Sequence, residues 1–142
     1  MTVRSARIPD SGTCATRHVA RPQVLLVAPP GPERGRLANL VGLLGAVCFA
    51  AEGEEDALSA FEHGMRFALV CADTDLRPGG GPEFARRMAT VVPEPRPPVI
   101  LFGNSGDPRG SAAALDGTVA AWVDRRQIYL QWTSRLLSGF LD

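Results

Sequence analysis

The chain has 142 residues, 45% of them hydrophobic and 21% charged, with a formal net charge of zero. These are the proportions of one soluble globular domain, able to bury roughly 68–70% of its unfolded surface. Neutrality excludes a bulk electrostatic attraction to nucleic acid or acidic membranes, and no apolar run reaches the roughly 20 residues of a membrane span. All fifteen basic residues are arginine, which removes lysine Schiff-base chemistry and a lysine-type phosphate loop. Cys14, Cys48 and Cys71 are odd in number and have no metal-ligand spacing. Cys48 and Cys71 lie in apolar strand-like runs and are expected as buried thiols in a reducing cytoplasm.

Residues 1–21 mix Arg, Ser, Thr, Gly and Pro without periodicity and read as a tail preceding a domain of residues 22–142. Val24-Leu25-Leu26-Val27 is a first buried strand, ended by Ala28-Pro29-Pro30-Gly31. Pro32 and Glu33 suit the first turn of a helix, with Leu37, Leu40, Val41 and Leu44 at helical spacing and Gly45 as its stop. Val47 to Ala51 is a second strand, and Glu54 to His63 a short helix with Ala57, Leu58 and Phe61 inward. Phe67-Ala68-Leu69-Val70-Cys71-Ala72-Asp73 is a third strand, six apolar residues closed by one carboxylate. A run of that kind belongs to the middle of a parallel sheet. The following helix starts at Pro82 and carries Phe84, Met88 and Val91 inward. Val99 to Phe102 is a fourth strand, followed by an alanine-rich helix after Asp107-Pro108. Ala120 to Val123 is a fifth strand and Ile128 to Phe140 a last helix. Five strands alternating with helices predict a three-layer α/β sandwich, a doubly wound parallel sheet of five strands. In such sheets chemistry collects beyond the carboxyl ends of the strands, where Asp73 stands.

From Asp73 the spacing Leu76, Gly81, Glu83-Phe84 continues, and Pro98-Val99-Ile100-Leu101-Phe102 leads into Asp107-Pro108. With Trp122 three residues before Arg125, these motifs resemble the receiver domain of two-component response regulators over roughly residues 22 to 141. The resemblance implies a flavodoxin-like (βα)5 fold, Asp73 as the phosphoacceptor-equivalent position and Trp122 as the switch aromatic. The departures bear on function. The family's metal-binding acidic pair falls at Ala28 and Pro29, its phosphoryl-binding Ser or Thr at Gly103, its lysine at Arg125 and the following proline at Arg126. Magnesium needs anionic oxygens in a near-octahedral cage, so neither magnesium nor another cofactor is expected. Asp73 then reads as a structural carboxylate that accepts backbone N–H bonds or pairs with Arg125.

Other motifs have local readings. Asp75 suits a turn, its carboxylate aimed away from Asp73, and Gly79-Gly80-Gly81 suits a flexible loop. That glycine loop is also the basis of an alternative reading as a small-ligand or nucleotide-binding module. Ser105 lies two residues past the lost hydroxyl at Gly103, in a sequence that is also good turn chemistry. His18 and His63 fall far apart, and no nucleophile, base and orienter assemble into a hydrolase site. Arg126, Tyr129 and Trp132 are of types enriched at interfaces, although Trp132 equally fits a half-buried core position.

The resemblance implies pairing through the fourth helix, fifth strand and fifth helix. The reading is a stand-alone degenerate receiver, a non-enzymatic interaction module in the cytoplasm. Its partner would be a histidine kinase, a signalling effector or a second copy, with no nucleic acid and no membrane. The alternative from the same family is a functional phosphoacceptor modified on Asp73.

Overall fold

The computed structural model describes residues 21–141 except Ser105 and Leu130, and between residues 128 and 134 only the backbone. The strands are β1 (Gln23–Val27), β2 (Val47–Ala51), β3 (Leu69–Asp73), β4 (Val99–Gly103) and β5 (Ala121–Asp124). The helices are α1 (Pro32–Leu43), α2 (Glu54–Glu62), α3 (Gly81–Val91), α4 (Pro108–Leu115) and α5 (Gln131–Leu141). A 3-10 turn, Arg125–Tyr129, joins β5 to α5. The five strands pair in parallel in the order β2-β1-β3-β4-β5. The sheet carries helices on both faces, the doubly wound, flavodoxin-like arrangement expected from the alternating pattern.

Strand alternation builds two cores. Leu25, Val27, Val70, Ala72, Val99 and Leu101 pack on one face with Ala57 of α2, Phe84 and Met88 of α3 and Ala113 of α4. Val24, Leu26, Leu69, Cys71, Ile100 and Phe102 pack on the other with Leu37 and Val41 of α1 and Leu137 of α5. Phe84 and Phe102 are fully buried, each contributing about 1.5–3 kcal/mol of transfer free energy. Phe67 anchors the lower end of the first core, edge-on to Phe49 at 5.9 Å and to Phe61 at 5.3 Å.

Local sequence sets the ends of the elements. Pro32 begins α1, and Asp107 caps α4 by accepting the Arg109 N–H at 2.9 Å, with Pro108 following at the first helical position. Several expectations are corrected. β3 starts at Leu69, the first residue in register with β1 (the Ala68 N–H still reaches the Gln23 carbonyl at 2.7 Å), and β5 lies one residue later than the apolar run suggested. Val91 is 46% exposed, since α3 turns Phe84, Ala85 and Met88 inward instead. Leu40 and Leu44 are half-buried beside the buried Leu37 and Val41. Cys71 is buried, whereas Cys48 on the edge strand β2 is only half-buried. Burial pushes both thiols above their ordinary range, Cys71 most strongly. No described helix is long and apolar enough to cross a membrane.

The strand order reverses between β1 and β3, which opens a crevice at the carboxyl ends of the strands. Asp73 ends β3 there. The loop after it is held by backbone bonds: Thr74 N–H to the Phe102 carbonyl at 2.8 Å, Gly81 N–H to Thr74 at 2.9 Å and Gly80 N–H to Leu76 at 2.5 Å. Gly80 has φ +93°, a conformation glycine adopts without strain, and a Cβ on Gly81 would lie 2.6 Å from the Asp73 carbonyl oxygen. The glycines therefore meet a backbone requirement. With the N–H groups of Gly80 and Gly81 spent on carbonyls, neither is offered to a phosphate.

Candidate functional site

Arg125 leaves the end of β5 and crosses the crevice to reach groups from three other strand ends. Its Nη2 donates to Asp73 Oδ1 at 2.7 Å and its Nη1 to Asp73 Oδ2 at 3.2 Å. Nη1 also donates to Glu33 Oε1 at 2.5 Å, Nε to Asn104 Oδ1 at 2.7 Å and Nη2 to Asp75 Oδ2 at 3.3 Å. Asp73 Oδ1 accepts in addition the Asp75 backbone N–H at 2.8 Å, so the carboxylate closes its own turn while pairing with the guanidinium. Asp75 extends the network to Arg109, which bonds Asp107 Oδ2 at 2.8 Å through Nη2 and Oδ1 at 3.1 Å through Nε. Four carboxylates (Glu33, Asp73, Asp75, Asp107) and two guanidiniums (Arg109, Arg125) thus form one continuous array.

The array is half-sheltered. Side-chain exposure is 11% at Asp73, 22% at Arg125 and 30% at Glu33, so these pairs are less screened than surface ones. Arg125 is held well above the usual guanidinium range, first by its hydrogen bonds to Asp73 and then by the charges of Asp73 and Glu33. Burial raises the Glu33 carboxyl above its ordinary value; Arg125 opposes that rise, and the charge on Asp73 adds to it. Hydrogen bonds from Arg109 hold Asp107 below the usual carboxylate value.

Sequence reasoning placed Asp73 and Arg125 here, and the two pair. It expected Asp75 to point away; instead the Asp75 carboxylate turns back to Arg109 and Arg125, because two guanidiniums stand over the turn that carries it. Glu33 was read only as a residue suited to the first turn of α1. Its partner is 92 residues away, a contact that no local spacing announces. Ala28 and Pro29 follow β1 directly and bring no carboxylate; the Ala28 carbonyl accepts Arg34 Nη1 at 3.1 Å. Gly103 ends β4 opposite Asp124. Arg126 folds back on Asp124, its N–H at 2.9 Å and its Nη2 at 3.2 Å. Trp122 is half-buried beside Gly103 and Gly110. His63 stands exposed at the end of α2, its ring bonded to the Ser59 carbonyl at 2.7 Å. Cys14, His18, Ser105 and the side chains of Tyr129 and Trp132 lie outside the described residues.

Ala28 and Pro29, at the positions of a receiver's acidic pair, carry a methyl group and a pyrrolidine, and the Arg125 guanidinium stands against both Asp73 oxygens. Among the described residues no group of three or more His, Cys, Asp or Glu is arranged to hold a metal. A cavity of about 440 Å³, walled by Phe61, Met65, Phe67, Val92, Pro93 and Pro95, lies at the opposite end of the sheet and shares no residue with this array.

Comparison with known proteins places the fold. No protein-family model and no curated protein matches the sequence. Solved structures do match the shape. A two-component response regulator from Clostridium difficile superposes with a TM-score of 0.72 at 13% identity, covering 85% of this chain and 96% of that one. A response regulator receiver domain from Clostridium thermocellum gives 0.68 at 16% identity, over 84% of this chain and 90% of its own. The chemotaxis response regulator CheY4 of Vibrio cholerae gives 0.61 at 16% identity, over 86% of this chain and all (100%) of its own. The class defined is a receiver-type α/β fold. In this chain an Arg125–Asp73 ion pair spans the strand-end site.

Proposed function

We propose that this protein is a degenerate receiver, a non-enzymatic interaction module of two-component-type signalling that is not phosphorylated by the magnesium-dependent route. The observation that carries the reading is the paired engagement of Asp73 by Arg125, at 2.7 and 3.2 Å, with Ala28 and Pro29 where receivers hold their acidic pair. Phosphoryl transfer to a carboxylate relies on positioning and on neutralising charge with metal and basic groups. Here the basic group neutralises the acceptor itself. The Asp73 oxygens are committed to a guanidinium and a backbone N–H, and a phosphodonor would have to displace both. Arginine suits this role because its planar fork stays charged and matches a carboxylate.

The partner in this reading is a histidine kinase, a signalling effector or a second copy, docking through α4, β5 and α5 in the cytoplasm. Leu115 on α4, 89% exposed, supports that face. Incubation with acetyl phosphate or beryllofluoride plus magnesium tests the proposal. Tryptophan fluorescence and intact mass are expected to stay unchanged. A saturable, magnesium-dependent change that Asp73→Asn abolishes would establish a working phosphoacceptor instead.

A further inference from the structure

Trp122 projects from β5 into a space that only glycine leaves open. A Cβ on Gly110 of α4 would overlap the indole Cδ1 and Nε1 atoms and lie 2.7 Å from Cγ. A Cβ on Gly103, at the end of β4, would lie 2.8 Å from the same Nε1 and 2.6 Å from Thr74 Oγ1. The indole edge therefore rests on the backbone of two different elements at once. Gly110 is buried within a helix, where glycine is a poor choice for the backbone and needs a packing reason. Trp122 supplies that reason.

Among the described residues no group hydrogen-bonds the buried Trp122 Nε1 or Thr74 Oγ1, so within this part of the molecule it is packing that sets the position of the ring. Thr74 is fully buried and tied by its backbone N–H to Phe102 and by its carbonyl to Gly81. It stands next to Asp73, so the interlock adjoins the ion-pair array through one peptide unit.

We propose that Trp122 is a positioning residue, interlocked with Gly103 and Gly110, that fixes the α4–β5 face in one preformed arrangement. The inference rests on the interaction-module reading above and names how its surface is set: shape complementarity between an indole and two glycines, with no modification required. A partner then meets α4, with Leu115 outward, in the same position at all times.

A double-mutant cycle tests the interlock. Gly110→Ala in the wild-type background forces the indole out and is expected to lower Tm by about 5–10 °C. In a Trp122→Ala background the same change meets no ring, and alanine's helix propensity makes it neutral or stabilising, a shift within about 2 °C. Equal losses in both backgrounds would overturn the proposal. The second measurement is indole N–H exchange in a Trp132→Phe protein, where Trp122 provides the only indole signal. Exchange at least about 100-fold slower than that of an exposed indole is expected; exchange at the exposed rate would overturn the interlock whatever the stability of the variants. Modification of Asp73 by acetyl phosphate and magnesium with that signal unchanged and the cycle still coupled would refute the non-phosphorylated reading while supporting the interlock; a shift of the signal on modification would overturn the single preformed arrangement.

Discussion

Arg125→Gln removes the cation that joins β5 to β3 and α1 while leaving a polar group of similar reach. Three carboxylates, Glu33, Asp73 and Asp75, then lose a common partner. Exposed ion pairs contribute about 0–1 kcal/mol, and breaking a fully buried one costs about 3–5 kcal/mol. The side-chain exposures of 11% at Asp73 and 22% at Arg125 put this pair between those limits, so a loss of about 2–3 kcal/mol is expected. For a domain of this size that corresponds to about 8–12 °C in Tm. Urea denaturation at pH 7 gives the free energy directly. Arg125→Lys keeps the charge but not the fork and should recover only part of the loss. A loss below about 0.5 kcal/mol at pH 7 would refute the assignment of Arg125 as the keystone of the site.

Three further substitutions separate burial, charge and packing. Burial holds the Glu33 carboxyl above its unfolded value, so the stability linked to its protonation is complete below about pH 4.5 and lost as pH rises through the folded value. Glu33→Gln removes that dependence: its Tm relative to wild type should climb from pH 4 to pH 7, and a flat or falling difference would contradict the direction. Asp107 is held low by Arg109, so its contribution is present above its unfolded value of 3.8 and lost as pH falls through the folded one. Asp107→Ala removes the α4 cap and should cost about 1 kcal/mol at pH 7, with little difference remaining near pH 2 by thermal melting. Phe84→Ala empties a fully buried position between α3 and the sheet. It should cost about 3–5 kcal/mol in urea titration, and a loss under 2 would mean that the site collapses around the gap.

How well each part could be read from the sequence follows its physical environment. β1, β3 and β4 lie inside the sheet and are buried on both faces, so their apolar runs stood out and Asp73 could be placed at a strand end. β2 and β5 are edges with mixed burial, and there the run of apolar residues no longer marks the ends of the pairing. Val91 fitted the helical period of α3 but falls at its last residue, where the chain is already turning from the core. The Asp73–Arg125 pair was legible because Asp73 ends β3 and Arg125 follows the end of β5, two parallel strands separated only by β4 in the sheet. Glu33 was not, since its position depends on how the first turn of α1 tilts over the sheet. The Trp122 interlock was hidden for another reason. Gly103 reads as a lost hydroxyl and Gly110 as part of a small-residue helix, and only the folded backbone brings both against one ring.

The guanidinium over Asp73 has one more consequence, which concerns mass action. A bound metal occupies its site to a degree set by its free concentration, and a chelator can strip it away. Arg125 is part of the polypeptide, present once per molecule whatever the ionic composition around it. Its side chain stays protonated far into the alkaline range. A strand-end site built this way carries its positive charge at constant stoichiometry, at neutral and alkaline pH alike.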